Sequence, residues 1–173
     1  MPADPASPGE RLLRLWRRLS RLPGGRWAFS RLLGWSVPYT GALRARVLEL
    51  ESGSVTVEVR ERRGIRNHLG SVHAVALANL GELASGLAVL SRLPPSARGI
   101  VTGLSVEFLK KARGRLVARS RSTPPPVTEP VEHEVVATIT DEDGDVVARV
   151  TASWRLAPAL PGDPASTPPA AAT

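Results

Sequence analysis

Between Gly64 and Leu93 the chain carries a stretch, GIRNHLGSVHAVALANLGELASGLAVLSRL, that leaves few folds open. Its first part is polar and glycine-containing, which predicts a turn. From there Val72, Val75, Ala76, Leu80, Leu83, Ala84, Leu87 and Leu90 recur at helical spacing. That pattern predicts a helix of about twenty residues. The other face, with Ala74, Leu77, Ala78, Gly81, Ala88 and Val89, is also small or apolar. A helix apolar on nearly every side is a buried one. From Ala74 to Val89 only Asn79 and Glu82 are strongly polar. A lone carboxylate inside such a helix is costly unless it is paired or used.

The remaining segments read as strands that could wrap this helix. Leu43, Ala45 and Val47 alternate, then Leu48 and Leu50 follow in the other phase, which predicts a strand with a bulge. Val55, Val57 and Val59 alternate with Thr56, Glu58 and Arg60 after a Ser52-Gly53 turn. Past Pro94-Pro95, alternating sets appear at Leu104–Phe108, Leu116–Ala118, Val135–Ile139 and Val146–Trp154. Ala112-Arg113-Gly114 and Asp143-Gly144 are turn signals, and Pro124–Pro126 forbids a central strand there. Short turns between the later strands predict an antiparallel sheet. A sheet needs cover on its apolar face, and the long helix is the one candidate of adequate length. The class expected is therefore α+β, with about six strands around one central helix.

Outside this unit the pattern changes. Residues 1–9 are Pro/Ala-rich and are expected to be disordered, as are residues 158–173. Residues 10–36 predict a helical arm. Glu10–Leu22 is basic and amphipathic, Pro23-Gly24-Gly25 breaks it, and Arg26–Trp35 is a second helical pattern. Three of the four Trp lie in this arm, so it is expected to pack on the main unit, residues 37–157, through them. The alternative is a helix lying on a membrane surface.

Composition removes several functions. There is no cysteine, so disulfides, thiolate metal sites and cysteine nucleophiles are excluded. Three histidines, His68, His73 and His133, do not suggest a dedicated metal site, and no cofactor is expected. The net charge is +7, but seven Arg against Asp4 and Glu10 put most of it in residues 1–35. The body is near neutral, so nucleic acid is not an expected partner. No apolar run approaches the ~20 residues of a membrane span, and the N-terminus has no signal-peptide core. The expected location is the cytoplasm.

The segment Asn67-His68-Leu69-Gly70-Ser71-Val72-His73, followed by Glu82, resembles the hot-dog fold acyl-CoA thioesterases of the phenylacetate type. Within that superfamily the chain is most similar to the DUF4442 family. In the phenylacetate-type enzymes an N-G-x-G-x-x-H-G-G segment leads into the helix, and an acidic residue follows the His at the spacing Glu82 has here. IVTGLSVEFLKKARGRL and DEDGDVVARVTASW are similar to the third and sixth strands. The glycine pair after the His is Ala74-Val75 in this chain, and the acid is Glu rather than Asp.

The resemblance implies hydrolysis of an acyl thioester to free acid and CoA. Glu82 would be the base or nucleophile, the Ala74 N–H the oxyanion donor, and Asn67 would orient water or the acyl carbonyl. His73 completes the catalytic set, and Gly70 and Val75 would lie against the substrate. Clustered Lys110, Lys111 and Arg113 suit a CoA phosphate. Each has an ordinary alternative: Glu82 a satisfied buried acid, Asn67 a turn residue, His73 an orienting or core histidine, the basic cluster solvated charge. Ala74 and Glu82 are about 12 Å apart along one helix. The site is therefore expected to be shared across a homodimer or a dimer of dimers, as in related proteins. The competing function is a non-catalytic acyl-CoA-binding or regulatory protein, which the loss of Gly-Gly makes credible.

Overall fold

The computed structural model describes residues 7–159. Three helices come first: α1 (Pro8–Leu19), α2 (Gly25–Ser36) and the short α3 (Pro38–Gly41). Then follow β1 (Arg46–Glu51), β2 (Ser54–Arg60), α4 (Ala74–Leu90), β3 (Ala97–Phe108), β4 (Arg115–Arg121), β5 (Val131–Thr140) and β6 (Val146–Pro158). The strands form one sheet in the order β1-β2-β4-β5-β6-β3, every neighbouring pair antiparallel. The sheet wraps α4, which is the hot-dog arrangement.

The apolar periodicity of α4 becomes burial. Leu80, Ala84 and Ala88 are inaccessible and Leu77, Leu83 and Leu87 nearly so. Each buried leucine contributes about 1.5–3 kcal/mol. Helix and sheet approach closely at Gly81, where an added Cβ would lie 2.3 Å from the Val150 side chain. At the other end of α4 the Ser91 hydroxyl accepts from Gly53 N–H and donates to the Glu51 carbonyl, tying the helix to the β1–β2 turn.

The two edges of the sheet are treated differently. At β1, the Val47 N–H is bonded to the Ser30 hydroxyl of α2 at 3.0 Å, so the arm covers that edge. The β1–β2 register shifts between Val47 and Glu49, at the expected bulge. At β3 no strand of the described residues pairs with the outer edge. Val106 packs on the core, so Leu104 and Phe108, two residues to either side, lie on the helix-facing side of the strand. They are nevertheless 47% and 54% exposed.

Several expectations are corrected. Order begins before residue 10: Ser7 and Glu10 cap each other reciprocally, and Gly9 is buried against the Leu90 carbonyl at the end of α4. Pro158 completes β6 and the Ala159 N–H bonds Ser96. Residues 1–6 and 160–173, the rest of the expected disorder, lie outside the described residues. The arm is anchored by Trp16, which meets Phe29 edge-to-face at 5.0 Å. Trp27 and Trp35 are 62% and 73% exposed instead. The turn at Ala112-Arg113-Gly114 does not join neighbouring strands. β3 and β4 lie apart in the sheet, and this segment crosses between them. Among the described residues no helix is long and apolar enough to cross a membrane.

Candidate active site

The loop before α4 is held by its own polar groups. The Asn67 Oδ1 accepts from Leu69 N–H (2.9 Å), Ser71 N–H (3.2 Å) and the Ser71 hydroxyl (3.2 Å). Asn67 is thus a turn-builder, and its amide NH2 alone remains to act on anything else. Gly70 has φ +66, a left-handed conformation that costs glycine little. Its carbonyl accepts from Arg113 Nε at 3.2 Å. Glu61 secures the far side: it accepts from the Gly114 N–H at 2.6 Å and from Arg66. These contacts, led by the Gly114 bond, hold its carboxyl below the usual glutamate range.

His73 caps α4. Its Nδ1 accepts from the Val75 N–H at 3.1 Å, so the neutral ring carries its proton on Nε2. The Ala76 and Leu77 N–H groups bond the His73 carbonyl. The Ala74 N–H, first of the helix, has no acceptor among the described residues. An unpaired N–H at the positive end of a helix dipole is a donor aimed at an anion.

A cleft of about 240 Å³ opens there, lined by Tyr39, Arg66, His73, Val75, Ala76 and Asn79 among others. His73 and Val75 both line it, whereas Ala74, between them in sequence, does not. Asn67, Gly70 and Glu82 do not line this cleft. Asn79, Tyr39 and Arg66 belong to it, although the sequence pattern makes none of them a candidate. Asn79 does carry a signal, being the other strongly polar residue of α4. Tyr39 and Arg66 carry none, since only the tertiary fold brings them there.

Glu82 lies two turns along α4 from Ala74 and is half-buried rather than enclosed. Its carboxylate has no ion pair or hydrogen bond among the described residues. Desolvation raises its pKa above the usual glutamate value. Val75, Asn79 and Glu82 share one stripe of the helix, spaced four and then three residues apart. This is the least covered face of α4.

Of the basic cluster, Lys110 is committed elsewhere. Its ammonium binds Asp141 at 2.6 Å and Asp145 at 2.7 Å, which raises its pKa and lowers that of Asp141. The charge expected to meet a phosphate is thereby neutralised. Arg113 holds the loop through Gly70, and exposed Lys111 has no partner among the described residues.

The helix-in-sheet architecture and the loop entering α4 define a hot-dog protein of the thioesterase superfamily. Residues 25–156 match DUF4442, a domain of unknown function, and the chain belongs to that family. No curated protein matches the sequence. Among solved structures, a structural-genomics protein, APC5556, is 27% identical and superposes with a TM-score of 0.74 over 86% of this chain and 99% of its own. A Pseudomonas aeruginosa protein of unknown function, PA5026, described as a probable thioesterase, is 25% identical with a TM-score of 0.69, over 80% of this chain and 97% of its own. The phenylacetic acid degradation protein PaaI from Thermus thermophilus shares the fold at 22% identity and a TM-score of 0.59, over 68% of this chain and 97% of its own.

Proposed function

We propose that the chain is an acyl thioesterase that hydrolyses acyl-CoA or a related thioester at a site shared by two copies of itself. The observation that carries this reading is the pairing of unsatisfied groups on α4: a free Ala74 N–H at its start and a desolvated, unpartnered Glu82 further along. Each is the kind of group that thioester hydrolysis requires. About 12 Å of helix separates them, so a single chain cannot bring both to one carbonyl. Two antiparallel α4 helices set side by side bring Glu82 of the partner subunit to the Ala74 end.

In this arrangement the thioester carbonyl oxygen rests on the Ala74 N–H. Glu82 takes a proton from water as the water oxygen bonds the carbonyl carbon. The resulting oxyanion is stabilised by the same N–H and by the helix dipole. The C–S bond then breaks, and the thiolate leaves and is protonated. Direct attack by Glu82 through an anhydride uses the same geometry. The Asn67 amide NH2 and the His73 Nε2–H are the remaining donors for water or substrate. Gly70 and Val75 border the path of the acyl group, and Lys111 and Arg113 are the cations left for CoA phosphates.

The open β3 edge supports a dimer, since an uncovered strand of this length invites pairing with another chain. Leu104, Phe108 and Leu109 supply exposed apolar surface at this edge, and Val75 on α4 is exposed as well. Hydrolysis of a panel of acyl-CoAs, aliphatic and aromatic, tests the function directly. Turnover of at least one of them, absent in Glu82→Gln, is expected. One feature favours the binding-only reading, namely that Val75 stands at the cleft where related enzymes have glycine. Tight acyl-CoA binding with no turnover on any substrate would establish that alternative.

A further inference from the structure

A larger cavity, about 720 Å³, lies between α2, the α3–β1 segment and the first two strands, and reaches Leu83 of α4. That volume is typical of small-molecule sites. Its apolar surface comes from Leu33, Leu43, Val47 and Leu83, with Trp27 and Trp35 beside them. Its charged lining is one-sided: Arg31, Arg44, Arg46, Arg60 and Arg62 against Glu58. Glu58 is already engaged, at 2.8 Å by Arg115 and at 3.5 Å by Arg60. Arg44 and Arg46 have no ion pair among the described residues.

Two further features single out this cavity. The Arg62 Nε is buried without a hydrogen-bond partner, although the same guanidinium donates to the Ala42 carbonyl. A buried donor left unsatisfied is unfavourable and calls for an acceptor. Arg44 is the one non-glycine among the described residues in the left-handed region, at φ 52. Such conformations recur where backbone is held for a ligand.

We propose that this cavity binds an acyl chain that ends in an oxyanion, with the chain on the Leu33–Leu43–Val47–Leu83 surface and the anion among the arginines. An inorganic anion would leave the apolar surface unfilled, and a neutral lipid would leave the guanidinium groups without a counter-charge. A free acyl carboxylate has this chemistry; an acyl-CoA does not, because its pantetheine arm separates the acyl chain from the phosphates. Binding here does not depend on hydrolysis at α4.

The test is calorimetric titration of the full chain, below micelle-forming concentrations, with laurate, dodecanol, coenzyme A and the thioether analogue of lauroyl-CoA. Intrinsic tryptophan fluorescence, to which Trp27 and Trp35 contribute beside Trp16 and Trp154, gives a second readout. Laurate is expected to bind once per chain and to perturb that fluorescence; the thioether analogue is expected to bind through the α4 site instead, with an affinity that Arg46→Met leaves unchanged. Dodecanol and coenzyme A are each expected to bind at least about tenfold more weakly, the loss that follows from removing one charge-assisted contact or the buried chain. Arg62→Met and Arg46→Met are each expected to weaken laurate binding by about tenfold or more, whereas Arg155→Met, outside the cavity, leaves it unchanged. Arg46 is exposed, so its variant remains informative if Arg62→Met fails to fold. Binding in the Glu82→Gln chain is expected to equal that of the wild type, which separates this claim from hydrolysis. Absence of laurate binding, unchanged laurate affinity in Arg46→Met, or equal binding of dodecanol or coenzyme A would overturn the assignment.

Discussion

At the scale of single residues, Glu82 combines two effects of one carboxylate. Burial raises its pKa from 4.5, so the folded chain holds this proton more firmly than the unfolded one. As pH rises past 4.5 the unfolded form ionises first, and folding loses stability until the folded carboxyl ionises as well. Glu82→Gln has no such proton. It is expected to melt above the wild type at neutral pH, with the difference closing as pH falls below 4.5. Its turnover is expected to drop at least ~10²-fold, the low end for a positioned base. Melting curves across pH and a rate assay check both; equal turnover would return Glu82 to a structural role. Asn67 separates by substitution. Asn67→Asp keeps the acceptor of the loop but removes the NH2 donor, so it is expected to fold normally and to lose turnover. Asn67→Ala loses the loop bonds as well, at about 1–3 kcal/mol by denaturant titration. Asn67 is legible in sequence as a turn residue because its bonds are local. His73 as a helix cap is not, since His is not among the preferred caps. Lys110 reads as a phosphate contact in the sequence because its true partners, Asp141 and Asp145, are some thirty residues away in the chain.

At the scale of elements, the apolar period locates α4 and the alternating strands, because period reports which face is buried. It does not report which tryptophan is buried. Trp16, Trp27 and Trp35 look alike in the arm, yet Trp16 alone of these is enclosed, against Phe29. Trp16→Ala is therefore expected to cost about 3–5 kcal/mol, the range for emptying a large aromatic site. Trp27→Ala is expected to stay within about 0.5 kcal/mol, as for surface changes. Urea titration distinguishes them. Gly81 gives a sharper case. Alanine would favour the helix by roughly 0.5–1 kcal/mol, but its Cβ would meet Val150 at 2.3 Å. Overpacking of about 1–3 kcal/mol outweighs the gain, so Gly81→Ala is expected to destabilise. A stabilised variant would mean that α4 can shift away from β6.

At the scale of the whole molecule, the antiparallel sheet follows from short connections, but the strand order does not. β3 pairs with β6, some forty residues away, and the chain then returns across the sheet to β4. Nothing local encodes that choice. It leaves β3 as the open edge while the arm covers β1, and so selects the face on which a second copy can add. A dimer or larger assembly at micromolar concentration is expected by sedimentation, and Phe108→Arg is expected to dissociate it with loss of turnover. A wild-type monomer would remove the shared site.

Mixing two inactive chains tests that shared site most directly. Ala74→Pro deletes the oxyanion N–H at a helix position where proline is tolerated, and His73 before it already has the extended backbone, φ −65 and ψ 142, that proline prefers. Glu82→Gln deletes the carboxylate. Neither homodimer is expected to hydrolyse the best acyl-CoA. Refolded together in equal amounts, half of the dimers would be mixed, and each of those would hold one intact site. About one quarter of wild-type activity should then return. A mixture as inactive as its components would contradict a site built from two chains.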